Sequence, residues 1–485
     1  MLNTMVAPSD ASLRERFGRV DRYGPRLLLG LTLVFLGGVG AGPLSDNDGW
    51  WHFRTGELIL DRGGIPRRDP FTWTALGDRW RPNSWASDVI FELVRQAGGL
   101  VGVALLRSAL FLAVLAAVHA LARRAGARPW PAAAAVLAVG IAFVPFVNER
   151  PQMFSYLLLA VVALLAPPAL AGSNAAVAGL AVTGAAWANL HGVVVLGLAA
   201  VAAIAAGDAV QNRRLLLPAV VALVGPIASL ANPYGIEIYR EAGAIRALGR
   251  ELGIAEYRRP DVTNSLDIMV LALAIVAVVG LVRSGRGRSP TIVLPLVLLA
   301  ANAVDGIRSV PMFLVLAAPE IALAFGTLVS PAWRDRLRRH HLGPLALGAA
   351  LLVGAAAVLG AINITRAGEV DRSGFPVAAT GAIPAGCRVL NEYNQGGYII
   401  FRRWPEVAVS QDSRADIFGR DLLVEQQEIL ADDAGADAEA WLRRNRVDCV
   451  LARPERALVQ RLRTSPEWRE VEAEKAGVLL VRRPT

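Results

Sequence analysis

Long apolar runs separated by short arginine-bearing connections set the pattern of this chain. Stretches of the roughly 17–25 apolar residues that a bilayer crossing needs fall near 27-44, 100-121, 131-147, 153-171, 175-190, 192-207, 215-232, 265-282, 290-304, 312-329 and 344-363. They number about eleven, too long and too many for one water-soluble core. Connections holding Arg123, Arg124 and Arg128, then Arg213 and Arg214, then Arg283, Arg286 and Arg288, then Arg334, Arg336, Arg338 and Arg339 all fall on one side. The N-terminal arginines 14, 16, 19, 22 and 26 share it, and the excess of positive charge marks that side as cytoplasmic. Residues 1-26 are then a cytoplasmic segment, the first span exits outward, and an odd number of spans leaves 366-485 outside. A cleavable signal peptide is the competing reading of residues 26-44, since Gly40-Ala41-Gly42 are small; the length of the run favours a span.

Two outer segments are too long for simple turns. In 46-99, Glu57-Leu58-Ile59-Leu60 and Trp85 to Gln96 predict two helices lying along the membrane, separated by the breaker Gly63-Gly64-Ile65-Pro66, with Trp73, Trp80 and Trp85 at headgroup depth. Residues 233-264 predict another such loop, bearing Arg240, Arg246, Arg250, Arg258 and Arg259. From about Asp371 short β-like runs at 388-390, 407-409, 447-451 and 478-481 alternate with helical stretches near 420-431, 437-445 and 454-463. That alternation predicts a small α/β domain. The fold class is therefore an α-helical polytopic membrane protein, with a transmembrane domain over 27-365 and an extracytoplasmic α/β domain over 366-485.

Composition agrees with this picture: 54% of the 485 residues are hydrophobic and the mean hydropathy is +0.43. A net charge of +9 would suit a nucleic-acid partner, but the arginines stand at the ends of apolar runs, where they anchor topology, and nucleic acid is excluded. Cys387 and Cys449 both lie in the outer domain. Two buried, unpaired thiols are the favoured reading, with a disulfide as the alternative in an oxidising compartment. No ligand set with zinc spacing occurs.

Candidate chemistry concentrates on the outer ends. Asp46-Asn47-Asp48 follows the first span and is backed by Trp50, Trp51, His52 and Arg54; Asn148-Glu149-Arg150-Pro151-Gln152, Asn189-Leu190-His191, Asn232-Pro233-Tyr234-Gly235 and Asp305-Gly306-Ile307-Arg308 come back to the same face. Charges beside hydrocarbon are costly unless paired or hydrated, so their recurrence on one side predicts a shared polar cavity. Plainer readings stand beside these. The two aspartates suit a helix cap, His191-Gly192 a helix end, Trp50 and Trp51 interfacial anchors, Arg150 a snorkelling side chain, and Asp412, Arg414 and Asp416 a structural salt-bridge cluster. Gly396-Gly397 after a strand predicts a tight strand-to-helix turn, a weak phosphate signal by itself.

These residues give the chain a resemblance to the polytopic GT-C glycosyltransferase superfamily, in the form of the bacterial dolichyl-phosphate-mannose mannosyltransferase-like membrane proteins. The matches are Asp46-x-Asp48-x-Trp50-Trp51-His52-x-Arg54-Thr55-Gly56, Ile65-Pro66-x-x-Asp69-Pro70-Phe71-x-x-Thr74, Trp80, Arg150-Pro151-Gln152, Trp187-Ala188-Asn189-Leu190-His191-Gly192, Gly396-Gly397-Tyr398 and Asp412-Ser413-Arg414-Ala415-Asp416. The resemblance implies a bacterial inner-membrane enzyme that takes a sugar from a polyprenyl-phosphate donor, with membrane lipid around it and an extracytoplasmic glycan, lipid or protein as acceptor. It also implies an acidic general base in the first outer loop and inversion at the sugar carbon. The chain departs from the mannosyltransferases, which carry Asp-Glu there, so the choice between Asp48, preferred, and Asp46 stays open. The chemistry calls for the same groups: a carboxylate to take the acceptor's proton and cations for the departing phosphate. His52, Arg54, Arg150, His191 and Arg308 are the expected substrate and phosphate partners. No cofactor is identified; a divalent metal ion on Asp46 is the one candidate. A transporter or flippase for a lipid-linked sugar, or a non-catalytic assembly protein, are the competing functions.

Overall fold

The structure, a computed structural model, describes residues 10–328, 343–432 and 437–484; Arg334, Arg336, Arg338 and Arg339 lie outside them. Helices occupy every predicted apolar segment: α1 Asp10–Gly40, α3 Trp85–Arg124, α4 Pro129–Phe143, α5 Gln152–Leu170, α6 Asn174–Leu190, α7 Val194–Asn212, α8 Leu216–Ser229, α10 Ser265–Ser284, α11 Pro290–Asp305, α12 Val310–Leu328 and α13 Gly343–Thr365. Among the described residues, 7 helices are long and apolar enough to cross a membrane. α6, α8 and α11, at 17, 14 and 16 residues, are shorter. α1 stops at Gly40, short of the predicted 44, because Pro43 cannot continue it and Arg107 of α3 takes the carbonyls of Gly40, Gly42 and Pro43 as it ends.

The segment between α1 and α3 carries α2, Gly49–Arg62, closed by Gly63 in the left-handed region at φ 63°. The second predicted surface helix is continuous with α3 and bends from it at Gly99, where φ is 61°. The loop after α8 supplies α9, Glu237–Glu251, and a short turn at Ala255–Tyr257.

Beyond Thr365 the chain builds a five-stranded sheet in the order β2-β1-β3-β5-β4, from β1 Arg388–Asn391, β2 Ala408–Val409, β3 Cys449–Ala452, β4 Trp468–Glu474 and β5 Gly477–Arg482. β1 runs parallel to β2 and β3, and β5 runs antiparallel to β3 and β4. The middles of the central strands are apolar because both faces are covered. Val389, Cys449, Leu451 and Leu479 pack toward Leu58, Phe71 and Trp80 of the α1–α3 segment and Ile399 and Ile400 of the helix Gly396–Arg403. Leu390, Val450 and Leu480 pack on the other side against Trp441, Leu442, Leu458 and Leu462. β4 escaped prediction because it is an edge strand with alternating charge, Trp468-Arg469-Glu470-Val471-Glu472, exposed along most of its length.

The sheet and the α1–α3 segment meet at one end of the bundle. Leu44 bridges to Val370 and Thr72 to Val409, and the Trp73 amide donates to the Val409 carbonyl at 3.0 Å. This corrects the headgroup placement of the three tryptophans. Trp80 is buried in the seam, and the indole N–H groups of Trp73 and Trp85 donate to the Val389 carbonyl and to Asn189 Oδ1. A segment roofed by a sheet satisfies its indoles internally rather than at a lipid surface. The reading of two free thiols is corrected as well: Cys387 and Cys449 form a disulfide, their Cα atoms 6.0 Å apart across the β1–β3 pair.

Candidate active site

Because the helices run up and down, the loop after α1, the α4–α5 and α6–α7 turns, the α8–α10 loop and the α11–α12 turn share the end of the bundle that carries the sheet. They surround a cavity of about 960 Å³. Asp48, His52, Arg150, His191 and Arg308 all line it. The far wall comes from Tyr393, Asn394, Ser413 and Asp416, so the cavity lies between the bundle and the C-terminal part.

Asp46 and Asp48 are shaped by a local turn and two distant partners. The Asp46 carboxylate accepts the Asp48 amide at 2.8 Å, folding the loop back before α2 begins. Asp48 stands at the N-cap of α2, yet its side chain caps nothing; one oxygen, Oδ2, is held by Arg150, and the other, Oδ1, is buried with no hydrogen-bond partner. The Asp46 amide donates to Glu149 Oε1 at 2.9 Å, and Glu149 Oε2 in turn holds Arg107 Nη1 at 2.6 Å. Glu149 is fully buried. Its carboxylate therefore serves the loop rather than the cavity.

Arg150 is the hub. Its Nε lies 2.8 Å from Asp46 Oδ1, its Nη2 pairs with Asp48 Oδ2, and its Nη1 lies 3.1 Å from Glu256 Oε2. Glu256 also accepts from Arg308 Nη1 at 2.9 Å, and the same nitrogen donates to the Tyr257 hydroxyl at 2.7 Å. Burial pushes Asp46 up to about 7, the nearby Asp48 and Glu149 charges adding to the rise and Arg150 opposing it. Burial would also raise Glu256, but Arg308 and Arg150 outweigh it and hold its carboxyl below the usual range.

His52 and His191 each have one ring nitrogen engaged. His52 Nδ1 lies 2.6 Å from Asp88 Oδ1, and His191 Nδ1 lies 2.7 Å from Ser155 Oγ, which also accepts from Trp187. Burial, reinforced by Arg308, drives His191 well below its ordinary range, so it sits neutral. Arg54 is the exception among the expected residues. It pairs with Glu57, donates to the Phe401 carbonyl and lies over the Trp404 ring, tying α2 to the C-terminal part outside the cavity lining.

Trp50 is no surface anchor: it is fully buried with Phe53, Phe375, Tyr398 and Phe401 around it. Arg414 holds Asp412 through two nitrogens and Asp69 through a third, with its guanidinium 4.5 Å from the Trp80 ring centroid. That structural cluster also includes Asp69, which the sequence did not suggest, and Asp416 borders the cavity beside Arg414. Glu256, Asp88, Glu149 and Tyr156 were missed. Only Glu149 had a local signal, its place beside Arg150.

A divalent ion fits these groups poorly. Among the described residues no three His, Cys, Asp or Glu side chains are grouped to hold one, and the space between Asp46, Asp48 and Glu256 is taken by a guanidinium that a second cation would repel.

No protein family model and no curated protein matches the chain. Solved structures do. The apo crystal structure of the Archaeoglobus fulgidus oligosaccharyltransferase superposes with a TM-score of 0.62 at 14% identity, covering 89% of this chain and 70% of that one. The same organism's oligosaccharyltransferase AglB in complex with an inhibitory peptide and a dolichol-phosphate gives 0.62 at 13% identity, covering 90% and 70%. Its complex with Zn and sulfate gives 0.57 at 14%, covering 88% and 68%. With its helical bundle and terminal mixed sheet, the chain has the fold of these oligosaccharyltransferases over most of its length.

Proposed function

We propose that the protein is a membrane glycosyltransferase that moves a sugar from a polyprenyl-phosphate donor to an acceptor bound in the cavity, with Asp48 as the general base. The observation that carries this reading is Asp48 itself, one oxygen fixed by Arg150 and the other free and buried at the wall of a cavity that also holds Arg308. The cavity is polar at this end, while Val195, Leu196, Ala199, Leu248 and Met312 give it an apolar arm suited to an isoprenoid chain. The dolichol-phosphate on AglB is consistent with such a donor.

The step balances as a single displacement. The acceptor oxygen bonds to the anomeric carbon as its proton passes to Asp48 Oδ1. The carbon–oxygen bond to the lipid phosphate breaks on the opposite face, inverting that carbon. The phosphate leaves with its charge held by Arg308 and offset by the nearby charge of Arg150, whose nitrogens stay on their carboxylates. The oxidised Cys387–Cys449 pair supports placing this end of the bundle outside the cytoplasm, since disulfides persist in oxidising compartments. The arginine-rich loops at the other end support the same orientation in a bacterial inner membrane.

The test is transfer of labelled sugar from a polyprenyl-phosphate donor by purified protein in detergent. Asp48→Asn keeps the Arg150 contact but cannot accept the proton, and loss of a general base costs about 10²- to 10⁴-fold in rate. Asp46→Asn, whose carboxylate is committed to the turn, costs less. Thermal unfolding separates misfolding from lost chemistry. Wild-type activity in Asp48→Asn would end the assignment of Asp48.

A further inference from the structure

The three nitrogens of Arg150 each engage a different carboxylate: Nε Asp46, Nη2 Asp48 and Nη1 Glu256. Those carboxylates come from two separate stretches, the loop after α1 and the α8–α10 loop, and Arg150 joins them from a third, the α4–α5 turn. A side chain that gathers three carboxylates from two other loops at the mouth of a membrane bundle does the organising work commonly given to a bound divalent ion. We propose that Arg150 is the resident cation of this site, in place of a divalent metal, both assembling the carboxylates and compensating the leaving phosphate's charge.

Charge and geometry both support it. The three carboxylates of Asp46, Asp48 and Glu256 are offset by the two guanidinium charges of Arg150 and Arg308 to at most one net negative charge, so an added divalent ion would lie against a buried guanidinium with little negative charge left to offset the repulsion. A small divalent ion such as Mg²⁺ wants its oxygens in an octahedron about 2.0–2.1 Å away. A planar guanidinium instead fans its partners around its own edge, and Asp46 Oδ1, Asp48 Oδ2 and Glu256 Oε2 are already set on its three nitrogens. Arg150 is itself fixed, preceding Pro151 at the start of α5, whose helix dipole adds positive potential at the same point. The substitution is chemically specific: Arg cannot lose its proton in a protein, so the cation persists at every working pH.

The proposal rests on the glycosyltransferase reading only for its second half; the metal measurement stands apart from activity. Purified full-length protein in detergent is titrated with Mn²⁺ and free ion is followed by electron paramagnetic resonance. Wild type is expected to bind no stoichiometric Mn²⁺, whereas Arg150→Gln, which removes the cation and leaves three carboxylates facing one another, is expected to gain one site. Arg150→Lys, which keeps a charge there, should gain none. Stoichiometric Mn²⁺ on the wild type would overturn the proposal, as would failure of a folded Arg150→Gln to bind. If Arg150→Gln unfolds, the wild-type titration still decides. Where transfer is detected, wild-type activity should survive EDTA within about 2-fold, and a loss restored by added metal would overturn the proposal while leaving the glycosyltransferase reading intact.

Discussion

His52 Nδ1 and Asp88 Oδ1 stand 2.6 Å apart, both side chains buried and both bordering the cavity. The approach is made possible by Gly56, one turn further along α2, where a Cβ would come within 2.1 Å of the Asp88 carbonyl. With Nδ1 committed, Nε2 is the nitrogen left for the cavity, and the Trp51 ring lies 3.6 Å away, centroid to centroid, tilted by 31° to the imidazole. Asp88→Leu therefore leaves a buried imidazole without its orienting carboxylate. We expect a stability loss of about 1–3 kcal/mol and a shift in the pH profile of transfer. Asp88→Asn, which retains a hydrogen-bond acceptor, should recover most of the stability but not the profile. Thermal unfolding and rate against pH measure the two effects; an unmoved profile in both variants would leave the pair a purely structural one.

Arg107 and Glu149 form a buried pair that also secures the end of α1 and the Asp46 amide. Arg107→Met strands the Glu149 carboxylate and three backbone carbonyls. Loss of one partner of a buried pair costs about 3–5 kcal/mol. The double variant Arg107→Met/Glu149→Gln should regain part of this, read as a melting temperature above that of the single variant.

The elevated Asp46 makes a signed prediction for pH. Its folded-state value of about 7 exceeds the ordinary 3.8, so the folded protein binds this proton more tightly than the unfolded chain. The resulting stability is complete below about pH 4 and is lost as pH rises through 7. Wild type should therefore lose stability relative to Asp46→Asn between pH 5 and 8.5, measured by thermal unfolding at matched ionic strength. A constant difference across that window would show that the carboxyl titrates in its ordinary range.

The disulfide closes a sequence separation of 62 residues. Cys387→Ser or Cys449→Ser should cost about 2–5 kcal/mol in the C-terminal part. Non-reducing against reducing electrophoresis, with thiol counting in denaturant, checks the bond directly; two alkylatable thiols in oxidised, unfolded protein would refute it.

How much of this was readable in the chain depends on the range of the contact. The spans announce themselves because a helix that crosses a bilayer must be apolar on its outward face as well as its packed one, and the central strands because both faces of the sheet are covered. Local chemistry was legible where polar residues terminate a span, which is why Asp48, Arg150, His191 and Arg308 meet. Arg54 was misjudged through helical geometry: it lies two residues after His52 on α2, hence on nearly the opposite face, whereas Asp48 and His52, four apart, share one. Glu256 and Asp88 had no local signal, since their partners lie on other elements. The cysteines were open for the same reason: only the pairing of β1 with β3 brings them within reach.

Gly397 packs where a Cβ would come within 2.5 Å of the Asn47 carbonyl, between the two aspartates. A residue in the terminal part is thus a backstop for the first loop, and an alanine there would push on the turn that aims Asp48 without touching any ligand. Variation at this position would look, in a map of sequence alone, like tolerance in a remote domain; in the folded molecule it is a change to the frame of the Asp46–Asp48 loop.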